Sequence, residues 1–151
     1  MRRIFITVLF SNIICCIAVA QQEVNWKILA DVQWVSTYFP EYDAYFDMPK
    51  FGKKVKDLSG KQISIKGFYV PVDASGSMFA LSAYPSQMCF FCNGAGMESV
   101  MEIIPKKGST ELKKVVTDKY IELKGKLKLN EKEADHLMYI LEEAELVRII
   151  K

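Results

Sequence analysis

The clearest alternation of apolar and polar positions runs from residue 120 to residue 129. Four apolar residues fall on one side and four charged residues on the other: Ile121, Leu123, Leu127 and Leu129 against Glu122, Lys124, Lys126 and Lys128. Successive side chains of a strand point to opposite faces, so this segment predicts a half-buried β-strand. Its lysine row is typical of a solvated face that protects a sheet edge, because no aromatic platform for nucleic acid lies beside it in sequence.

A second strand is predicted over residues 61–73. Within it, the apolar residues change from one face of the strand to the other. Ile63 and Ile65 share one face, whereas the apolar residues after Gly67 continue on the opposite face. A glycine at a phase change is typical of a β-bulge, which bends a strand enough to serve two sheets. Residues 79–84, 99–104 and 145–150 predict further strands, and this set suits a small closed barrel.

After residue 129 the spacing of apolar residues becomes helical. Asn130 and Glu133 resemble a capping box, and four apolar residues then recur on one helix face: Ala134, Leu137, Met138 and Leu141. The sequence therefore predicts a mainly β fold, a small OB-like barrel with one C-terminal helix inserted before the last strand.

Aromatic residues are concentrated upstream of the predicted barrel, within residues 24–52. Eight of them lie there: Trp26, Trp34, Tyr38, Phe39, Tyr42, Tyr45, Phe46 and Phe51. We expect this aromatic N-terminal segment to pack outside the barrel, covering an open side or end of it.

The first twenty residues are typical of an export signal. Arg2 and Arg3 precede a mostly apolar run, and Ala18 and Ala20 supply the small residues that a signal peptidase requires. Lipoprotein processing at Cys15 or Cys16 is disfavoured, because Ile14 and Cys15 are poor neighbours for a lipidated cysteine. We therefore expect a signal peptide over residues 1–20, a single domain over residues 21–151 that begins at Gln21, and a periplasmic or secreted location.

Charge argues against several classes of partner. Two of the 20 basic residues lie in the predicted signal, so 18 remain against 18 acidic residues, and the mature chain is neutral. A neutral domain has no global field that would draw it to nucleic acid or anionic lipid. We expect no nucleic-acid partner and no membrane insertion after signal cleavage. No Ser-His-Asp set, carboxylate pair in a catalytic frame or phosphate loop indicates an enzyme.

Candidate chemistry centres on Cys89 and Cys92, which belong to the stretch MCFFCNGAGMESVME over residues 88–102. Covalent haem attachment is excluded, because it needs a histidine directly after the second cysteine and this chain has Asn93. Thioredoxin-like chemistry needs the pair at the start of a helix, and Asn-Gly-Ala-Gly over residues 93–96 makes a poor first turn.

Two interpretations of the cysteine pair remain. A metal knuckle suits the glycine-rich turn, with Cys89, Cys92, His136 and a carboxylate, Glu98 or Glu102, as zinc ligands. Copper(I) is the second metal, since three methionines add soft thioethers: Met88, Met97 and Met101. The alternative is a disulfide, which an oxidising compartment favours.

The same residues carry a family resemblance. The chain resembles a family of small exported bacterial proteins classed as a domain of unknown function. The most specific part of the resemblance is the run Cys-Phe-Phe-Cys at residues 89–92. The Gly-Ala-Gly and Glu-Ser-Val-Met-Glu runs that follow it, and residues 60–61 and 66–71 before it, also fit the family. The resemblance extends from about Trp26 to the predicted C-terminal helix. This chain departs from the usual pattern at Asn93, where glycine is common, and at Met97, where proline is common.

The resemblance also implies a cellular context. More remote relatives look like companions of exporter-type transport systems, some of them linked to zinc uptake. Two functional hypotheses follow. The first is an exported metal-binding or metal-delivery accessory protein that serves a membrane transport component. The second is an interaction module with a Cys89–Cys92 disulfide, in which Phe90 and Phe91 present an apolar tip to such a partner.

Overall fold

The computed structural model describes residues 21–72, 78–85, 96–133 and 135–150. Its strands are β1 (Gln22–Val24), β2 (Val32–Phe39), β3 (Ala44–Phe51), β4 (Gln62–Pro71), β5 (Phe79–Ser82), β6 (Val100–Pro105), β7 (Tyr120–Leu129) and β8 (Tyr139–Ile149). The α-helices are single turns, α1 (Trp26–Leu29) and α2 (Lys53–Lys56), and there are 3-10 helices at Met97–Ser99 and Leu112–Lys114. The predicted signal peptide lies outside the described residues.

Five of the strands close into a barrel. They follow the order β4-β5-β6-β8-β7, and pairing of β7 with β4 completes the circle. All pairs are antiparallel except β6 with β8, which run parallel. This arrangement is that of the five-stranded Greek-key barrel of the OB-fold, so the predicted mainly β, OB-like architecture is confirmed.

The alternation predicted for β7 is confirmed, whereas the bulge predicted at Gly67 is wrong. β4 pairs with β7 without a register shift from Gln62 to Phe68, and its inward phase continues through Gly67 to Tyr69, which is 2% exposed. Gly67 instead lies where β4 leaves β7 and begins to pair with β5. A Cβ atom there would lie 2.6 Å from the carbonyl oxygen of Ser82, so the glycine permits a close crossing of two backbones.

The predicted C-terminal helix is also wrong. The described residues between 130 and 138 form turns, and β8 begins at Tyr139, opposite Leu129 of β7. Asn130 closes this connection: its Oδ1 accepts from the backbone N–H of Glu133 at 2.8 Å, and its Nδ2 donates to the carbonyl of His136 at 3.1 Å. Burial of Tyr139 and Leu141 between β6 and β7 favours a strand where local spacing favoured a helix.

Both ends of the aromatic segment pack against the barrel. The indole Nε1 of Trp26 donates to the carbonyl of Lys66 at 2.8 Å, and the Phe51 ring packs against Tyr139 with their centroids 5.5 Å apart. The Tyr139 hydroxyl donates to the carbonyl of Leu29, which is fully buried in α1. The described part of the chain contains no helix with the length and apolarity to cross a bilayer.

The remaining aromatic residues of the segment do not cover the barrel as the sequence predicted, but lie in a separate hairpin. β2 and β3 pair only with each other among the described strands, as an antiparallel hairpin from Val32↔Phe51 to Phe39↔Ala44. Several of its large side chains are exposed: Trp34, Val35, Tyr38, Tyr42, Tyr45 and Phe46. Tyr45 reaches 72% exposure. The hairpin therefore presents an aromatic surface to solvent.

Buried tyrosines predict a loss of stability at alkaline pH. Burial raises the pKa of Tyr69 to about 12 and raises the pKa of Tyr139 well above its ordinary value. The folded pKa of Tyr69 then exceeds the unfolded value of about 10, so its stabilising contribution is complete below pH 10 and is lost as pH rises toward 12. Urea unfolding across this range should show the decline, and Tyr69→Phe should show a shallower one. Identical slopes would contradict the assignment.

Candidate functional site

The base of the cysteine loop is fixed by the β5–β6 hairpin. Beyond the pair Ser82↔Val100, the backbone N–H of Ala83 donates to the carbonyl of Ser99 at 2.9 Å. The Ser99 hydroxyl donates to the carbonyl of Gly96 at 2.7 Å. The segment that contains the cysteine loop therefore begins after Ser82 and ends before Val100, at paired ends of β5 and β6. Cys89 and Cys92, with the turn predicted around them, lie outside the described residues.

Glu98 lies at this base, in the 3-10 helix Met97–Ser99. Its Oε2 atom is buried and has no hydrogen-bond partner, and it is the one buried side-chain oxygen or nitrogen in the described part of the chain with that property. A buried acceptor without a donor costs about 1–3 kcal/mol, and native structures ordinarily satisfy such an atom with a protein donor, an ordered water or an ion. The Oε2 atom of Glu98 is therefore a candidate contact for any of these.

Gly96 leaves space that the Glu98 carboxylate occupies. A Cβ atom at residue 96 would lie 2.3 Å from the Glu98 Oε2, so a side chain there would require the flexible glutamate to move. The backbone itself does not require a glycine, because Gly96 has φ −65°. The sequence motif contained this glycine but gave no reason for it.

A cavity of about 320 Å³ opens beside Glu98. Its walls include residues from both sides of the loop base and from α1: Trp26, Lys27, Tyr84, Gly96 and Ser99. Lys27 lies at this cavity without hydrogen-bonding to Oε2. The negative charge of Glu98 contributes, after burial, to the raised pKa of Tyr139. Glu98 thus lines this cavity at the base of the cysteine loop, close enough to Tyr139 to affect the pKa of that residue.

His136 lies in different surroundings. Its Nδ1 is 3.0 Å and 3.1 Å from the two carboxylate oxygens of Glu102, and the backbone N–H of Leu137 donates to Glu102 Oε2 at 3.2 Å. Glu102 is largely buried, whereas 46% of the His136 side chain is exposed. The sequence analysis treated Glu102 as an alternative ligand, but its oxygens are already engaged. The pair lies 34 residues apart in sequence, and no local pattern signals it.

The structure separates the two proposed ligands that it describes. Glu98 lines the cavity at the loop base, whereas His136 lines two other cavities together with Met97. No described contact joins Glu98 to His136. Met101, one of the three candidate thioether ligands for copper, is fully buried in the barrel core. Met88 lies outside the described residues.

Among the residues that the structure describes, no three His, Cys, Asp or Glu side chains converge as a metal site. Comparison of the chain with protein-family models, with curated proteins and with solved structures finds no match.

Proposed function

We propose that this chain is an exported zinc-binding accessory protein that holds the ion with Cys89, Cys92 and Glu98. The observation that carries the proposal is the buried, unpartnered Oε2 of Glu98 at the base of the loop that bears both cysteines. Two thiolates and a carboxylate are ligand types that Zn²⁺ accepts. A cation at Oε2 would remove the cost of the unsatisfied acceptor.

Chain length is compatible with this ligand set. Cys92 precedes Gly96 by four residues, so at about 3.5 Å per residue its Cα lies within about 14 Å of the glycine that holds the Glu98 carboxylate. The intervening Asn-Gly-Ala-Gly run tolerates the left-handed backbone that a cysteine knuckle requires. The tether therefore allows both thiolates to approach Glu98.

Zinc suits these donors better than copper(I). Copper(I) selects soft thiolate and thioether ligands, whereas a carboxylate oxygen is a harder donor. Met101 is in the core and Met97 lines the cavities of His136, so neither thioether supports a copper site beside Glu98. His136, held by Glu102, is not included in the ligand set that we propose.

Three protein ligands leave the fourth zinc position open for water or an exchanging ligand, whereas structural zinc sites are closed by four. An open site favours delivery over a purely structural role. We place the protein in the periplasm or outside the cell, where a membrane transport component is the partner that could receive the ion.

Cobalt(II) provides the test of this ligand set, since thiolate ligation produces charge-transfer absorption in the near ultraviolet. We expect the reduced chain over residues 21–151 to bind one equivalent of Co²⁺ with this absorption, and zinc to displace it. Thiol reagents should react with both cysteines only after chelation. Absence of thiolate absorption, with both thiols reactive in the presence of metal, would contradict the proposal.

A further inference from the structure

A second cavity, of about 180 Å³, lies between the β2–β3 hairpin and the connection from β7 to β8. Its walls combine aromatic, thioether and carboxylate groups: Trp34, Phe46, Asp47, Met97, Glu133 and Met138. At about 30 Å³ per water molecule, the volume corresponds to about six waters and can take one long side chain. Met138 is 4% exposed and forms the floor, whereas the two aromatic residues are 42% and 37% exposed at the rim.

The carboxylates of Asp47 and Glu133 line this cavity, and no lysine or arginine is among its described lining residues. The hairpin over residues 32–51 carries three carboxylates, at residues 41, 43 and 47, and one lysine, Lys50. Asp47 takes part in no ion pair among the described residues, and Glu133 has only a distant partner, Lys128 Nζ at 3.7 Å. At the hairpin tip Asp135 adds a carboxylate, 3.3 Å from the Tyr42 hydroxyl. His136 also lines the cavity, and its Nδ1 lies beside the Glu102 carboxylate, which offsets any charge it carries.

Aromatic faces beside carboxylates are complementary to one kind of side chain. The guanidinium of arginine is planar, stacks on aromatic rings and pairs with carboxylates, and its aliphatic stem packs well on thioethers. We propose that this cavity binds an arginine side chain of a partner protein, with Trp34 as the stacking face and Asp47, on the same face of the hairpin, as the charge partner.

The same charges argue against other occupants. Two copies of this chain would bring their acidic hairpins together and repel each other, and nucleic acid would meet carboxylates instead of basic residues. The proposal does not depend on zinc, because Glu98 lines a different cavity.

A short capped peptide with two central arginines between glycines is the probe, and its citrulline counterpart has nearly the same shape without the charge. The indole N–H signals of the two tryptophans report the location in a two-dimensional NMR titration. We expect the Trp34 signal to shift saturably with a dissociation constant of about 1 mM or lower. The Trp26 signal should stay in place, because its Nε1 is hydrogen-bonded to Lys66.

Variants with one charge removed complete the test. Asp47→Asn should weaken binding about fivefold to tenfold. Asp57→Asn removes an equal charge from an exposed pair with Lys53 and should leave the affinity unchanged. The proposal would be overturned if the citrulline peptide bound equally well, or if the two variants lost the same affinity. It would also be overturned if the Trp34 signal showed no saturable shift, or if that signal changed with protein concentration alone. The last result would identify a second copy as the occupant.

Discussion

Replacing Gly67 by valine should lower the free energy of unfolding by about 2–3 kcal/mol, which corresponds to a fall of about 10 °C in the melting midpoint. The reason is steric. The new Cβ would lie 2.6 Å from the Ser82 carbonyl oxygen and 2.8 Å from Leu81 Cγ, and the first of these is backbone that moves only if β5 moves. Thermal unfolding followed by circular dichroism measures the change.

Gly125 offers an independent test of the same cause. A Cβ there would lie 2.6 Å from the Glu142 carbonyl oxygen, so Gly125→Val should produce a comparable loss. Lys126 occupies the next position of β7 and faces solvent, and Lys126→Val should change stability by less than about 0.5 kcal/mol. Unchanged midpoints for both glycine variants would mean that the strands do not cross as closely as described.

Replacing Glu98 by glutamine should lower zinc affinity by more than about 100-fold, because it removes a charged ligand while keeping the shape of the side chain. Competition with a chromophoric chelator measures the affinity. Without metal, the variant should be no less stable than the original protein, since Oε2 has no hydrogen bond to lose. A carboxylate with a purely structural role would give the opposite result, lower stability and unchanged affinity.

Glu102→Gln is the matched control for this change. It alters an equivalent side chain four residues along, where the partner is His136, and should leave zinc affinity unchanged. If Glu102→Gln reduced zinc affinity and Glu98→Gln did not, the ligand set would have to include His136 in place of Glu98.

Strands were predictable where one face of the chain is apolar over many residues. The alternation in residues 120–129 gave β7 its bounds, because each of its inward leucine and isoleucine residues is buried or nearly so. For β4, the sequence analysis predicted the wrong inward face after Gly67. The inward residue there is Tyr69, whereas Phe68 and Val70, which are equally apolar, face outward. Apolarity alone does not identify the inward face there.

The predicted helix failed for a different reason. Asn130 does cap the following backbone N–H groups, as the local motif indicated. Local capping is the same for a turn and for a first helical turn, and pairing of β8 with both β6 and β7 decides between them. The pairing with β6 involves residues more than thirty positions away, such as Glu102 opposite Ile140, which no local pattern contains.

The candidate site was predictable only in part. The sequence predicted Cys89, Cys92, His136 and a carboxylate, Glu98 or Glu102, as ligands. Of these, the structure describes Glu98 at the base of the cysteine loop and His136 beside Glu102. The contact of Gly96 with the Glu98 carboxylate depends on the turn of one 3-10 helix. The cavity beside Trp34 and Asp47 depends on how the hairpin lies against the barrel, which the aromatic composition of residues 24–52 does not specify.

The metal content of the protein as isolated tests the zinc proposal most directly. The chain should be expressed with its export signal, purified without oxygen from the compartment it reaches, and measured for zinc, copper and free thiols in the same sample. The account predicts about one zinc per chain, little copper, and two thiols that react only after chelation. A metal-free protein whose mass rises by the two hydrogens of a reduced Cys89–Cys92 disulfide would contradict it.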